Sequence, residues 1–487
     1  MKEYDVIIIG AGAVGSAIAY RLSANGLKVC VFEKNPDVCF ETSARNSGVV
    51  HAGFNNPPGS LKAAYCVRGS AGFEEVADRF GIPYKKTGKY VVALTNEDES
   101  AVDGLLAQAS ENGVRAEKKS FRGMPALYSP DTAITDPFKY TIALAEAAHL
   151  CGCDFYFEAN VRSLESADPE SQHNTANIHT SKKSSRRENN YIATITYTDE
   201  FGEREYMYSA PYIINCAGLG AAGICRLLGI SDFEIVPCRG EYHIADPYFG
   251  TIDMPVYPAV RPGADVLGIH LTPTIDGNIM IGPSSEYLNE KMNDADYSTT
   301  HDVMEQLFEE GKKLLPGFTK QSIIRSFSGI RPKLRVNGND YNDFLIRELL
   351  PGFIVLLGIE SPGLTASFPI AEDVCDMVKL DTSRLRRPKP ALESFPYEKM
   401  SGASQQICRC ESVTANEILA VYDRITSIKA TPTLRGIKHR TRLGMGRCQG
   451  SFCTAEIVKL LRRERGIDPL KFTLQGKGSE LFTRRTR

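Results

Sequence analysis

No run of apolar residues in this 487-residue chain approaches the ~18 that a membrane-spanning helix needs. Charge of one sign is also missing. Against 57 Lys and Arg stand 59 Asp and Glu, and a net charge of −2 lacks the basic excess of a dedicated nucleic-acid binder. The first apolar stretch, Val6 to Ile9, follows Asp5 and runs straight into glycines, which is not the pattern of a secretory leader. The expectation is therefore a cytoplasmic protein, with any attachment to the inner face of the membrane peripheral and made through a partner. There is no internal repeat, no collagen-like period and no visible Ser–His–acid arrangement. A hydrophobic content of 42% excludes a disordered chain, and the length suggests about three domains.

Most of what is present in the first third is a nucleotide-binding pattern. Val6–Ile9 reads as a parallel strand covered on both faces, residues 15–24 as a helix, and Leu27 to Phe32 as the next strand. Between strand and helix, Gly10-Ala11-Gly12-Ala13-Val14-Gly15 fits G-x-G-x-x-G. Gly10 permits the tight turn, Gly12 admits a pyrophosphate to the backbone, and Gly15 allows close helix–strand packing. The helix N-terminus offers unpaired N–H groups to phosphates. Glu33 follows 23 residues after Gly10, where a carboxylate accepts from ribose hydroxyls, with Lys34 beside it. This physics does not separate FAD from NAD.

Three later segments carry a resemblance. Tyr212 to Gly218 reads as a buried strand ending in the small-residue turn Ala217-Gly218. Phe353 to Leu357 is a strand that turns at Gly358, Ser361, Pro362, Gly363, Leu364 and Thr365 into a helix. Thr42-Ser43-Ala44-Arg45-Asn46-Ser47-Gly48-Val49-Val50-His51-Ala52-Gly53 is a further specific motif. Together with the glycine fingerprint, these resemble the FAD-dependent glycerol-3-phosphate dehydrogenase and oxidase family, within the D-amino-acid-oxidase-like superfamily that also holds L-2-hydroxyglutarate dehydrogenases. The resemblance implies an α/β, two-domain flavoprotein with a Rossmann-type FAD-binding domain (about 1–80, 140–235 and 330–380) and an antiparallel-sheet substrate domain (about 81–139 and 236–329). It implies that Gly10, Gly12, Gly15, Glu33, Lys34, Ser43, Asn46, Ala217, Gly218, Gly358, Ser361, Gly363, Leu364 and Thr365 serve the FAD. His51 is the expected base for a substrate hydroxyl, since an imidazole of ordinary pKa ~6.5 accepts a proton at neutral pH. Ser47 is expected beside it as a donor. In the Ser328-Gly329-Ile330-Arg331-Pro332 segment, Arg331 is the implied anchor for a substrate phosphate or carboxylate. Arg239 is a second candidate. Residues 262–270 contain no lysine, and Gly268-Ile269-His270-Leu271-Thr272-Pro273 looks more like the L-2-hydroxyglutarate branch, which brings His270 into the substrate set. The expected substrate is a phosphorylated polyol, with a 2-hydroxy acid or an amine or amino acid as alternatives.

Of 13 cysteines, nine are scattered through the first 375 residues and read as buried thiols of a reduced compartment. The other four form C-x-C and C-x4-C pairs, Cys408/Cys410 and Cys448/Cys453, with 37 residues between the pairs. Spacing alone is open to zinc or to a [2Fe–2S] cluster. Glu411 to Ile418 and Arg440 to Gly446 resemble a bacterioferritin-associated-ferredoxin-like module, which implies [2Fe–2S] and an electron-accepting protein subunit as partner. Thr414 with Glu417 reads as a capping box. Residues 381–403 read as a linker, 404–465 as a small helical module and 466–487 as a basic tail. Arg435, Lys438, Arg440, Arg442 and Arg447 have no acidic residue among them. They read either as a solvated face, or as compensation of cluster charge and docking for an acidic partner.

Overall fold

Val6–Ile9, which does not alternate in polarity, is a strand buried at all four positions. It lies in the middle of a six-stranded sheet ordered Asp154–Tyr156, Val29–Phe32, Val6–Ile9, Tyr212–Asn215, Phe353–Leu357 and Leu345–Leu350, parallel except for the last pair. The computed structural model describes residues 1–166, 190–199, 202–247, 252–260, 268–288, 296–379 and 404–484. Helix Ala13–Ala24 packs on this sheet between helices Pro137–Leu150 and Gly363–Met377, and buried Ala17, Ala19, Ala143 and Ala147 let the axes approach. Asp136 caps the second of these by accepting from the N–H groups of Phe138 and Lys139, with Pro137 pre-set at the first turn. The long helix Leu61–Phe80 lies against Gly363–Met377 at Gly69, where a Cβ would stand 2.0 Å from the Thr365 carbonyl oxygen.

The polar stretch expected as a loop inside a hairpin joins strands that do pair antiparallel, Asn160–Ser166 with Tyr191–Asp199; residues 167–189 themselves lie outside the described residues. On the other side of the molecule, a ten-stranded sheet is built on two long antiparallel strands, Phe233–Ala245 and Ile323–Val336, continued through Ile279–Gly282, His270–Pro273, Val256–Pro258 and Lys89–Val92. Register places Gly240 opposite Gly329 and Cys238 opposite Arg331. The glycines matter for closeness: a Cβ on Gly329 would meet the Arg45 carbonyl oxygen at 2.1 Å. Thr42 donates to the Ile330 carbonyl (2.8 Å) and Arg45 to that of Ser328 (3.0 Å), which pins the 42–48 segment onto this sheet.

The C-terminal region folds as a short two-stranded ladder, Gln406–Cys408 with Val413–Thr414, and helices Ala415–Ser427, Leu434–Thr441 and Cys453–Arg465. The capping box forms reciprocally between Thr414 and Glu417. Its core residues Ile418, Ile425, Ile437 and Ile457 belong to the same apolar cluster as Ala17 and Ala143, so the module shares a core with the nucleotide-binding layers. The expected linker lies outside the described residues. The expected tail departs from its reading: Phe472 is buried, and the carbonyls of Thr473 and Leu474 accept from Leu434 and Arg435. Charge count alone hid this return of the chain.

Much of the basic run departs from the reading as a solvated face, although Arg447 is exposed. Arg440 is fully buried against Asp37 and Glu146, Arg442 pairs with Asp276 and Glu411, and Arg447 pairs with Asp246. Arg435 stacks on Phe40 and donates to its carbonyl. These cations bind the module to the rest of the chain.

Candidate active site

One cavity of about 1380 Å³ runs between the two sheets, large enough for a dinucleotide with a small substrate beside it. At its nucleotide end, Gly10 has φ +104°, and a Cβ there would lie 2.5 Å from the Cys216 carbonyl oxygen; one on Gly15 would lie 2.0 Å from that of Gly10. Helix Ala13–Ala24 begins at Gly12 without a side-chain cap from that residue. Glu33 ends its strand in the cavity wall, its carboxylate accepting from Ala11 N–H (2.8 Å) and from the Asn35 backbone and side chain (2.9 and 2.7 Å). Burial pushes its pKa up, and those amide donors work against the rise. Lys34 reaches Glu41 at 3.2 Å. A helix terminus that its own first residue leaves uncapped, glycines that no Cβ could replace and a preset carboxylate fit the pyrophosphate and ribose of FAD.

The turn after Phe353–Leu357 and the 42–53 segment meet at His51. The His51 backbone N–H donates to Thr365 Oγ1 (3.1 Å), the Cys66 thiol to the His51 carbonyl (3.2 Å), and Ser361 Oγ lies 3.4 Å from His51 Nε2. Burial, then the charge of Lys89, then His270 hold the His51 pKa well below the usual histidine range, so the ring is the neutral, proton-accepting form. His270 is buried and stacked 3.6 Å from Tyr257, with Nδ1 hydrogen-bonded to the Gly268 carbonyl (2.9 Å). Burial, with Lys89 and Arg331 nearby, lowers it to about 3, and that hydrogen bond opposes the shift. Arg331 lines the cavity; it donates to the Ser284 carbonyl at 2.9 Å, and its buried Nε has no partner.

Gly10, Gly12, Gly15, Glu33, Lys34, Ser43, Asn46, Ser47, His51, Ala217, Gly218, His270, Arg331, Ser361, Gly363, Leu364 and Thr365 all line this one cavity. Two expected residues do not. Arg239 is buried behind the wall and held by Glu286 (2.7 Å) and Asp296 (2.7 Å), with Glu241 at 3.6 Å, so its charge is spent within the protein and it leaves the substrate set. Gly358 has φ +68° and makes the turn, with Leu334 Cβ 3.0 Å from where a Cβ would stand, rather than facing the cavity. Asn46 lines the wall, but its amide is occupied locally: it donates to the Ser43 carbonyl (2.9 Å) and accepts from Gly48 N–H (2.9 Å), which shapes the turn. Ser43 Oγ accepts from Ala13 N–H (2.9 Å), leaving its own proton to donate.

Among the charged wall residues that sequence reasoning missed, four stand out. Lys62 and Lys333 both grip Glu360 Oε1 (2.8 and 2.9 Å) at the edge of the cavity. Burial alone would raise the Glu360 pKa, but the two lysines outweigh it and hold it below the usual range. The fourth is Lys89, fully buried in the wall. Glu360 and Lys333 stood next to recognised motifs and could have been found; nothing in the sequence around Lys62 or Lys89 marks them.

In the C-terminal module Cys408 and Cys453 are buried, Cys448 is half-buried and Cys410 is exposed. Among the described residues no three Cys, His or acidic side chains converge as they would on one metal ion. The four thiols are nonetheless electrostatic neighbours: Cys410 interacts with Cys448 and also with Cys408, and Cys453 with Cys408 and also with Cys448. Two thiolates for each of two irons is the ligand demand of a [2Fe–2S] cluster, and one closed zinc site needs all four at a point. Gly446 permits the approach, since a Cβ there would fall 2.4 Å from Cys410 Cβ.

Comparison with known proteins agrees with both halves. Residues 5–377 match the DAO family model, FAD dependent oxidoreductase, and residues 406–463 match the BFD-like [2Fe-2S] binding domain. A glycerol 3-phosphate dehydrogenase of Caloramator mitchellensis is 30% identical over 99% of both chains. An L-2-hydroxyglutarate dehydrogenase of Arabidopsis thaliana is 31% identical over 77% of this chain and 83% of its own. Among solved structures, the FAD-bound L-alpha-glycerophosphate oxidase of Mycoplasma pneumoniae superposes with a TM-score of 0.68 at 25% identity, covering 81% of this chain and all of that one. The chain therefore belongs to the DAO family of FAD-dependent oxidoreductases, with FAD as its cofactor and a BFD-like [2Fe–2S] domain at its C-terminal end.

Proposed function

We propose that this flavoprotein is a dehydrogenase that oxidises sn-glycerol 3-phosphate to dihydroxyacetone phosphate and passes the electrons through its [2Fe–2S] domain to a protein acceptor. The reading rests above all on the pairing of neutral His51 with cationic Arg331 in one cavity, in a chain alike over its full length to a glycerol 3-phosphate dehydrogenase. FAD, when bound, supplies the hydride acceptor. The residues of the chain do the rest. Gly10, Gly12 and Gly15 clear the space for its phosphates, and Glu33 receives the ribose. Thr365 and Cys66 fix the His51 backbone, and His51 Nε2 takes the proton of the C2 hydroxyl as the C2–H bond breaks. Arg331 binds the phosphate and so presents C2 rather than a terminal carbon. Ser47 and Ser361 offer hydroxyls at the same place.

No helix among the described residues is long and apolar enough to cross a membrane. We also propose peripheral attachment at the membrane's inner face, through the protein that accepts the electrons. A cluster in the same chain favours one-electron delivery to that partner over direct reaction with oxygen. A second reading, oxidation of an L-2-hydroxy acid, is favoured by His270 in the Gly268–Pro273 segment and by the likeness to L-2-hydroxyglutarate dehydrogenases. Anaerobic titration of the holoenzyme, followed at the visible flavin band, separates them. Rapid bleaching by sn-glycerol 3-phosphate is expected. Bleaching by L-2-hydroxyglutarate alone would refute the first reading, and stoichiometric hydrogen peroxide from the intact enzyme would refute the protein acceptor.

A further inference from the structure

Among the described residues six cations line the cavity, and five of them are engaged. Lys34 pairs with Glu41, and Lys62 and Lys333 share Glu360. Arg45 stacks 4.0 Å over Tyr297 and donates to the Ser328 carbonyl, and Arg331 donates to that of Ser284. Lys89 differs. Its side chain is fully buried, its Nζ has no hydrogen-bond partner, and no acidic residue among the described ones pairs with it. The ammonium stands over two ring faces of the wall, 4.5 Å from the Phe54 centroid and 4.2 Å from that of Tyr257.

Among the described residues, the titratable groups facing it offer no negative charge. Cys66, on helix Leu61–Phe80, is pushed up to about 12 by burial and stays a thiol. His51 and His270 are held neutral in part by Lys89 itself. Tyr257, on the adjacent strand, is raised by burial and stays a phenol. Contacts with two aromatic faces return only part of the cost of burying an ammonium. A lysine kept in such a place needs an anion that comes and goes, and the cavity is where one enters. Lys89 and Arg331 both act on His270, so the three side chains belong to one stretch of wall. A phosphate dianion also asks for more charge than Arg331 carries.

We propose that Lys89 supplies the second positive charge of this wall, acting with Arg331 to recognise the phosphate of the substrate. The inference rests on the phosphorylated substrate proposed above. Burial lowers the empty-site Lys89 pKa to about 7. The cation is therefore present below that pH and lost above it, and a bound anion pulls the proton back on.

The test uses oxidised holoenzyme, titrated with inorganic phosphate and with sulfate while the flavin spectrum is followed. Lys89→Met is expected to weaken both anions and to raise the KM for sn-glycerol 3-phosphate by about 10- to 100-fold, with a much smaller change in kcat. Lys89→Arg should restore binding to within a few-fold. Sulfate does not titrate near neutrality, so its affinity for the wild type should fall as pH rises through about 7, whereas Lys89→Arg, which keeps its charge, should show no such fall. Unchanged anion affinity in Lys89→Met would overturn the proposal, as would the same alkaline loss in Lys89→Arg. Should Lys89→Met fail to hold FAD, the pH comparison of wild type and Lys89→Arg decides alone. If anions bind through Lys89 but sn-glycerol 3-phosphate leaves the wild-type flavin oxidised, the substrate reading fails and the charged wall stands. If that substrate bleaches the flavin and Lys89→Met binds anions normally, the reverse holds.

Discussion

Arg440→Met tests how the cluster domain is held to the flavin domain. Arg440 reaches both oxygens of Asp37, at 2.5 and 3.1 Å, and Glu146 at 3.1 Å, and the side chains of Arg440 and Asp37 are both 0% exposed. Arg424 binds the other side of Glu146. Removing Arg440 leaves Glu146 with Arg424, but among the described residues Asp37 keeps only the Val38 N–H as a polar partner. An uncompensated buried carboxylate of this kind costs about 3–5 kcal/mol. That is a shift of roughly two to three and a half orders of magnitude in whatever equilibrium the pair holds. Two states can carry the loss, the docked module and the folded chain, because the two domains share one core. Calorimetric unfolding with limited proteolysis distinguishes them. Asp37→Leu combined with Arg440→Met should recover most of the loss, since two apolar side chains leave no charge unpaired. Flavin bleaching by substrate should persist in every variant that retains FAD, while delivery to a one-electron acceptor should fall. A double variant as unstable as the sum of the two single ones would refute the pairing as the clamp.

Three further outcomes follow from the site. His51→Gln should lower kcat by about 10²- to 10⁴-fold while leaving KM near wild type; because the His51 pKa is depressed, wild-type kcat/KM should lose its base only when pH falls well below the ordinary histidine range, and an acid limb centred at that ordinary value would refute the assignment. Gly15→Val should abolish FAD retention, read as loss of the visible spectrum on gel filtration, because even a Cβ would stand 2.0 Å from the Gly10 carbonyl oxygen. Cys408→Ser should remove the cluster's electron paramagnetic resonance signal and most one-electron turnover but leave substrate bleaching of the flavin intact; loss of bleaching as well would refute the separation of the two functions.

The nucleotide end was legible because its requirements are local. A strand without alternation, glycines where a Cβ would collide and an acid at the next strand's end all fall within residues 6–33. His51 and Arg331 were reached by resemblance, and their meeting in one cavity depends on the Thr42 and Arg45 bonds to the Ile323–Val336 strand, which no periodicity reveals. Arg239 shows the converse failure. It stood as a second candidate anchor, but the carboxylates that hold it come from positions 286 and 296, further along the chain.

Charge is the quantity a sequence hides best, because it states the sign of each residue and not the partner. The run from Arg435 to Arg447 looked unbalanced in good part because the carboxylates that pair with Arg440, Arg442 and Arg447 come from elsewhere in the chain; Asp37 lies 403 residues before Arg440. Arg440 and Lys89 then represent opposite solutions to the same problem. Both are fully buried, yet Arg440 has fixed carboxylates and so serves docking, which must not be lost during turnover. Lys89 has aromatic faces and no fixed anion, which suits a partner that must leave after each cycle. A permanent carboxylate beside Lys89 would stabilise the resting protein and repel the substrate's phosphate. The absence of such a partner in the described structure is therefore the feature of Lys89 that most directly connects burial with binding.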